Sequence, residues 1–387
     1  MQAKSSHSTT IMTRIQNYVP VVMLLVFVSV EFFSKYTQYQ GHQTDVQKIV
    51  KAIFLVFFAA AILYDLKSNS VRIKQLILLF VLFCVGQYFV TPMFSNYNLT
   101  TFSRYLFPIF LFTYLIGFRP NAVGRKRLFL AFEWFLVINF ALLLVGLFFE
   151  PYVLKTYTGD RFGYNGVLLT SSTSTYVYFA ALGYFYFAYR GEVFKKWRFW
   201  IVLVSCFIVG TKSLYLGVVL FTIVVVLGSS FKYKKALFVI GGILSIVALY
   251  FILYQVPQFA QIRENDGILS ALLSYRDQLF IDQTLPYVQE NWGVANYLFG
   301  GVSDFTLRSQ MDFIDLFFFW GIIGGIVYLI TYTRAFFSFK LEPVHWVFFI
   351  SLGLIVFTAG NFFTYTSIPL YLAILREAII SHQDSHI

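Results

Sequence analysis

Apolar stretches of about 16 to 22 residues recur along almost the whole chain, and nothing else in the sequence limits the fold as strongly. A helix of about 20 residues is about 30 Å long, the thickness of a bilayer's hydrocarbon core. Inside lipid every backbone N–H and C=O must find a partner within the chain, so stretches of this length predict helices rather than open strands. Charged residues are only 12% of the chain, against about a quarter in an ordinary soluble protein. The prediction is an all-α polytopic membrane protein, one transmembrane helical domain over residues 1–387. The polar first 15 or so residues lead into a helix without a small-residue cleavage pattern, which reads as a retained first span. Cys84 and Cys206 both lie in apolar stretches, so no disulfide framework is expected. No metal-ligand spacing and no nucleotide motif occur, and no cofactor is expected.

The spans are predicted at 16–34, 49–64, 75–91, 101–118, 128–148, 167–189, 236–254, 312–333, 344–360 and 367–380. The stretch 199–229 is almost wholly apolar but carries Lys212 in "FIVGTKSLYLGVV". A lysine at mid-membrane depth costs about 2.5 kcal/mol or more. Basic clusters lie on both sides of the stretch, "KKWR" before it and "KYKK" after it. A single helix would put them on opposite faces, whereas a hairpin turning near Gly210 keeps both on the cytoplasmic face. Its arms are then about 12 and 16 residues, and the first reaches only about 18 Å. Lys212 would sit recessed in the outer leaflet, either as part of a site or as a snorkelling side chain. The hairpin brings the count to about 12 spans, both termini cytoplasmic. In this topology 19 of the 29 basic residues are cytoplasmic, and on the outer side 12 acids face 10 basic residues. The excess charge of +11 therefore reads as membrane orientation rather than nucleic-acid binding.

One outer loop, residues 255–311, is far longer than the others. Within it "GILSALLSYRDQLF" (267–280) predicts a short amphipathic helix, and "PYVQENWGVANYLFGG" a second one ended by its glycine pair. The loop holds Arg263, Arg276 and Arg308, which are either ligand-binding or solvated charges paired with Glu264, Asp277 and Asp304. It runs into "QMDFIDLFFFWGIIGG", where Asp312 and Asp315 share a helical face in the first turn of a span. They are either acids favoured by the helix dipole or a base at a membrane-face cavity. "TGDRFGYNG" (158–166) leads into the sixth span with Arg161 on the outer side. "TSSTSTY" follows, a polar run suited to a water-filled cavity or to close helix packing.

Arg161, Lys212 and Arg276 come from separate segments, yet the topology places all three at the outer face. Such a basic cluster suits a lipid-linked diphosphate, with arginine as a planar fork and lysine as a point charge. Asp312 or Asp315 could then activate an acceptor hydroxyl, and the cations could stabilise the leaving diphosphate. With its twelve spans, "DRFGYNG", "GTKS" in a short hairpin, the arginine-bearing late loop and "MDFIDLFFFWGIIGG", the chain resembles the Wzy-type O-antigen and polysaccharide repeat-unit polymerases. The resemblance implies a C-type glycosyltransferase-like fold in the bacterial inner membrane. It implies polymerisation of undecaprenyl diphosphate-linked oligosaccharide repeat units, for lipopolysaccharide or another surface polysaccharide, on the membrane's outer face. It assigns Arg161, Lys212, Arg276 and Arg308 to the diphosphate substrate and Asp315 and Asp312 to catalysis. Membrane lipid is the medium, a chain-length regulator is a candidate partner, and nucleic acid is not one.

Four rivals remain, one of them a structural or assembly protein with no catalysis. Ligases of the same superfamily tend to carry a histidine in this loop, whereas His7, His42, His345, His382 and His386 all lie elsewhere. A lipid-linked oligosaccharide flippase would show internal repeats around a midplane site, and the halves show none. Peptidoglycan polymerases of the cell-shape type have fewer spans.

Overall fold

The computed structural model describes residues 3–90, 95–157, 159, 161–228, 236, 239, 243, 247, 250 and 253–384. The helices are α1 (Ala3–Tyr39), α2 (Val46–Tyr64), α3 (Leu66–Cys84), α4 (Asn96–Gly117), α5 (Ala122–Phe149), α6 (Ser171–Tyr189), α7 (Trp197–Ile208) and α8 (Lys212–Gly228). After them come α9 (Pro257–Leu273), α10 (Arg276–Leu279), α11 (Leu285–Asn291), α12 (Val294–Phe299), α13 (Asp312–Phe336), α14 (Pro343–Ala359) and α15 (Ile368–Asp384). Among the described residues there is no strand, only one isolated bridge between Lys155 and Tyr164. The span predicted at 236–254 lies mostly outside the described residues, as do the cluster "KYKK" and Thr158 and Asp160 of "TGDRFGYNG".

Among the described residues six helices are long and apolar enough to cross a membrane: α1 from Ile15, α2, α3 continued to Tyr88, α4, α5 and α13. Apolar side chains lie on their outsides as well as inside. On α2, Ile49, Ile53, Val56 and Leu63 form one exposed stripe. A stripe of that kind needs lipid beside it rather than water. The predicted spans at 167–189 and 367–380 correspond to α6 and α15, which are not among the six. Both are buried almost throughout and pack against each other, so neighbouring helices rather than lipid cover their polar residues.

The stretch 199–229 is two helices, as its hairpin reading requires. Residues 209–211 separate α7, 12 residues, from α8, 17 residues, and Gly210 has φ +72°. Tyr215 folds back so that its hydroxyl donates to the Phe207 carbonyl at 3.1 Å. The break frees carbonyls, and the segment before α6 satisfies them. Tyr164 N–H donates to Ile208 O at 3.0 Å and Thr156 Oγ1 to Val209 O at 2.9 Å. A side chain at Gly163 would collide with Val209 O, so this close approach needs glycine. The "FGYNG" and "GTKS" segments, predicted separately, therefore dock on each other.

Two expectations for the long loop change. The single helix at 267–280 is divided: Gly267 has φ +90° within α9, and Ser274 and Tyr275 are left-handed before the short α10. The apolar periodicity runs across these breaks, which is why the sequence reads as one helix. The second segment is two short helices, α11 and α12, separated at Trp292 and Gly293, with α12 ended by Gly300 as expected. Gly300 packs backbone to backbone against Gly321, where α13 is kinked at φ +66°, so the loop is seated on that helix.

Candidate functional site

The site lies at the end of the bundle where α13 begins. Asp312 and Asp315 stand in the first turn of that helix and are both buried. Neither spends itself on capping its own helix; both reach neighbouring loops. Asp312 Oδ2 accepts the Phe362 N–H at 2.9 Å and Oδ1 the Phe363 N–H at 3.3 Å. Asp315 Oδ1 accepts from Ser309 Oγ at 2.9 Å, and its Oδ2 lies 3.8 Å from Arg308 Nε. The two acids are alike in sequence but differ in place. Asp312 fixes a loop 50 positions away, whereas Asp315 faces a cation, a hydroxyl and the backbone of Ser309 and Gln310 just before its own helix.

The loop that Asp312 fixes, residues 360–367, is the meeting point of the site. Arg308 Nη2 donates to Asn361 Oδ1 at 2.7 Å. Arg276 donates through Nη1 to Thr358 O and through Nη2, at 2.5 Å, to Ala359 O. These are last-turn carbonyls of α14, where the helix dipole favours a cation. Burial lowers the Arg276 guanidinium from its ordinary value, while Tyr176, Asp312 and Asp315 act in the other direction. The pairings that would make the loop arginines ordinary solvated charges hold for Arg263 alone, 2.7 Å from Glu264. Asp277 instead accepts from Ser270 Oγ at 2.5 Å, and Arg276 and Arg308 turn inward.

Phe259 of α9 is the second meeting point. The Lys212 ammonium lies 4.0 Å from its ring centre and the Arg161 guanidinium 5.2 Å. Arg161 also stacks at 3.6 Å over Tyr157, whose phenol burial raises while Arg161 and Arg276 lower it. Lys212 Nζ donates to the carbonyls of Ala271 at 2.5 Å and Leu272 at 3.3 Å, in the last turn of α9. Arg161 and Arg276 both act on it electrostatically. The three cations predicted from separate segments therefore converge. Among the described residues none of the three has an ion pair. Like charges held together by carbonyls and ring faces repel one another, and a multivalent anion would relieve that repulsion.

The polar run at the start of α6 serves packing. Ser172 Oγ donates to Ala359 O at 3.2 Å, Tyr176 OH to Gly360 O at 3.1 Å, and Thr175 and Thr211 hydroxyls meet at 3.0 Å. Sequence reasoning missed three contributors. Asn361 sits in "AGNFFTYTS", a polar gap between two spans whose Gly-Asn pair signals a turn. Lys35 of α1 clamps the Arg161 segment through Asn165 Oδ1 at 2.5 Å and Gly166 O at 2.7 Å. Asn139 of α5 holds the same segment by accepting Val167 N–H at 2.8 Å. Nothing in the local sequence marks these last two, since their partners lie 26 or more positions away. No protein-family model, curated protein or solved structure matches this chain.

Proposed function

We propose that this chain is a polysaccharide polymerase that joins undecaprenyl diphosphate-linked repeat units at the outer face of a bacterial inner membrane. In this reading the chain has about 12 spans, both termini are cytoplasmic, and the fold is of the C-type glycosyltransferase kind. One observation carries it. Arg161, Lys212 and Arg276 gather from three segments with no paired acid among the described residues, and two buried carboxylates, Asp312 and Asp315, act on Arg276.

The chemistry follows from these positions. The bond between the donor sugar's anomeric carbon and the diphosphate oxygen breaks. A bond forms from the acceptor hydroxyl oxygen to that carbon. The electron pair leaves with the diphosphate, whose growing negative charge Arg276, Arg161 and Lys212 stabilise. The hydroxyl proton passes to Asp315, whose Oδ2 lies 3.8 Å from Arg308 Nε. Asp312 positions the loop that presents Asn361, because both its oxygens are taken by backbone N–H groups.

The glycan profile of a strain lacking the chain tests this reading. Loss of the polymer ladder with a single repeat unit retained is the expected result. Loss of all glycan from the final acceptor would instead mean a ligase or a flippase.

A further inference from the structure

A second cavity, of about 390 Å³, opens among α1, α2, α4 and the 360–367 loop, away from Phe259 and Lys212. Gln47, Lys51, Thr100, Ser103, Arg104 and Thr366 are among its lining residues. Neither Arg104 nor Lys51 has an ion pair among the described residues, although the buried Glu31 carboxylate acts on Lys51 electrostatically from beyond ion-pair distance. Arg104 has no hydrogen bond or ion pair among the described residues, and Lys51 donates only to Gln47 Oε1, at 3.3 Å. Lys48, by contrast, is paired with Asp45 at 2.7 Å on the exposed rim. Two buried polar atoms in the lining are also unsatisfied: Gln47 Nε2 and Thr366 Oγ1, the latter in a residue only 3% exposed. Buried polar groups are nearly always partnered, so two orphaned donors beside Arg104, and beside a Lys51 whose one acid, Glu31, is out of ion-pair reach, mark a place where a polar anion belongs.

We infer that this cavity is a second anion site that takes a diphosphate group. Arg104 offers a planar fork and Lys51 a point charge, the pair of donors suited to adjacent phosphates. Gln47 Nε2 and Thr366 Oγ1 donate to the remaining oxygens. The amides and hydroxyls around them, Gln38, Gln43, Thr100 and Ser103, suit the hydroxyl groups of an attached saccharide. The site is wired to the first. Thr366 belongs to the loop that Asp312 fixes and Arg308 touches, and Arg308 acts on Arg104 electrostatically. A transferase that joins two diphosphate-linked saccharides must hold two diphosphates at once, one on each side of the reacting atoms. Assignment of this cavity to the second lipid-linked substrate rests on the polymerase reading; the anion site itself does not.

Titration calorimetry on the full chain in nanodiscs tests the inference, with inorganic diphosphate and undecaprenyl diphosphate as separate probes. The wild type is expected to bind two equivalents. Lys51→Gln with Arg104→Gln should weaken one binding step at least tenfold and leave the other, whereas Arg276→Ala should do the reverse. Arg104→Lys keeps the charge and serves as a folded comparison, checked by its melting temperature. If both probes weaken, the ligand is a lipid headgroup; if inorganic diphosphate alone weakens, it is free diphosphate. Two unchanged binding steps in the folded double variant overturn the site. So does a single equivalent in the wild type that only Arg276→Ala removes. Binding here without polymerisation of supplied repeat units would sink the polymerase reading alone. Polymerisation without binding here would sink this site alone.

Discussion

The two ends of α13 treat buried charge in opposite ways. At its C-terminal end Arg376 donates to Phe336 O and lies 2.9 Å from Glu377, which Arg119 also meets at 3.2 Å. Arg119 and Arg125 share Asp384 at 3.0 and 2.8 Å. Nearby, Glu133 accepts from Tyr184 and Tyr189 at 2.7 and 2.6 Å and pairs with Arg198. At the Asp312 end, beyond the kink at Gly321, the inward cations lean on carbonyls and aromatic rings instead. Among the described residues Arg308 is the inward cation within ion-pair distance of a carboxylate, at 3.8 Å. Desolvating an ion costs several kcal/mol, so a fold that only needs stability pairs its buried charges. The first end has the form of a structural clasp, and the second of a site whose countercharge arrives with the ligand.

The sharpest way to break this comparison is Asp315→Asn. Asparagine keeps the shape and can still accept from Ser309, but it cannot take a proton. Turnover of purified repeat units per folded molecule should fall by about 10²- to 10⁴-fold. Asp312→Asn should act differently: one of two backbone N–H groups loses its acceptor, and stability falls by about 1–3 kcal/mol. If Asp315→Asn turns over at the wild-type rate, the base lies elsewhere and the acid pair is structural.

Arg276→Ala should come next, with a loss of about 10²- to 10³-fold while the protein remains abundant in the membrane. Arg276→Lys should recover little, because lysine cannot reach Thr358 O and Ala359 O as a fork. Wild-type polymer length in the alanine variant would remove this cation from the mechanism.

Some of this was legible in the sequence and some was not, for physical reasons. Hydropathy and the basic clusters exposed the helical spans and the break at Gly210, because lipid imposes both constraints on short stretches of chain. Arg161, Lys212 and Arg276 could be grouped from charge placement alone. The difference between Asp312 and Asp315 could not, because it depends on which loop lies against α13, a contact spanning about 50 residues. Lys51 and Arg104 go unremarked among the outer-side basic residues, and their place in one cavity shows only once α2 and α4 are packed. The single helix expected at 267–280 failed because periodicity does not register a residue at positive φ.

A third test targets the paired end. Glu133→Gln strands Arg198 and weakens two tyrosine hydrogen bonds, at a cost of about 1–3 kcal/mol. The melting temperature should drop while turnover per folded molecule stays at the wild-type level. A turnover loss comparable to that of Arg276→Ala would mean that both ends serve the reaction, and the contrast between them would dissolve.

The smallest effect is expected at the edge of the paired end. Hydrogen bonding to Arg125 is the largest influence on the Asp384 carboxyl; burial, the next, opposes it, and the charges of Arg119 and Arg125 add to the hydrogen bond, so the carboxyl is held below its ordinary value. A carboxyl depressed in the folded state stabilises the protein above its unfolded pKa of about 3.9, and that contribution is lost as pH falls through the folded value. Asp384 is 45% exposed, so salt screens the interaction and its worth is about 0–1 kcal/mol. Asp384→Asn should therefore lower the melting temperature slightly at neutral pH and low salt. The difference from wild type should vanish in about 1 M salt, where the Debye length is about 3 Å, and again in acid below the folded pKa. A penalty that survives both conditions would show that Asp384 acts by packing rather than charge. The paired end would then owe its stability to Glu133 and Glu377, the two acids that lie inside the bundle.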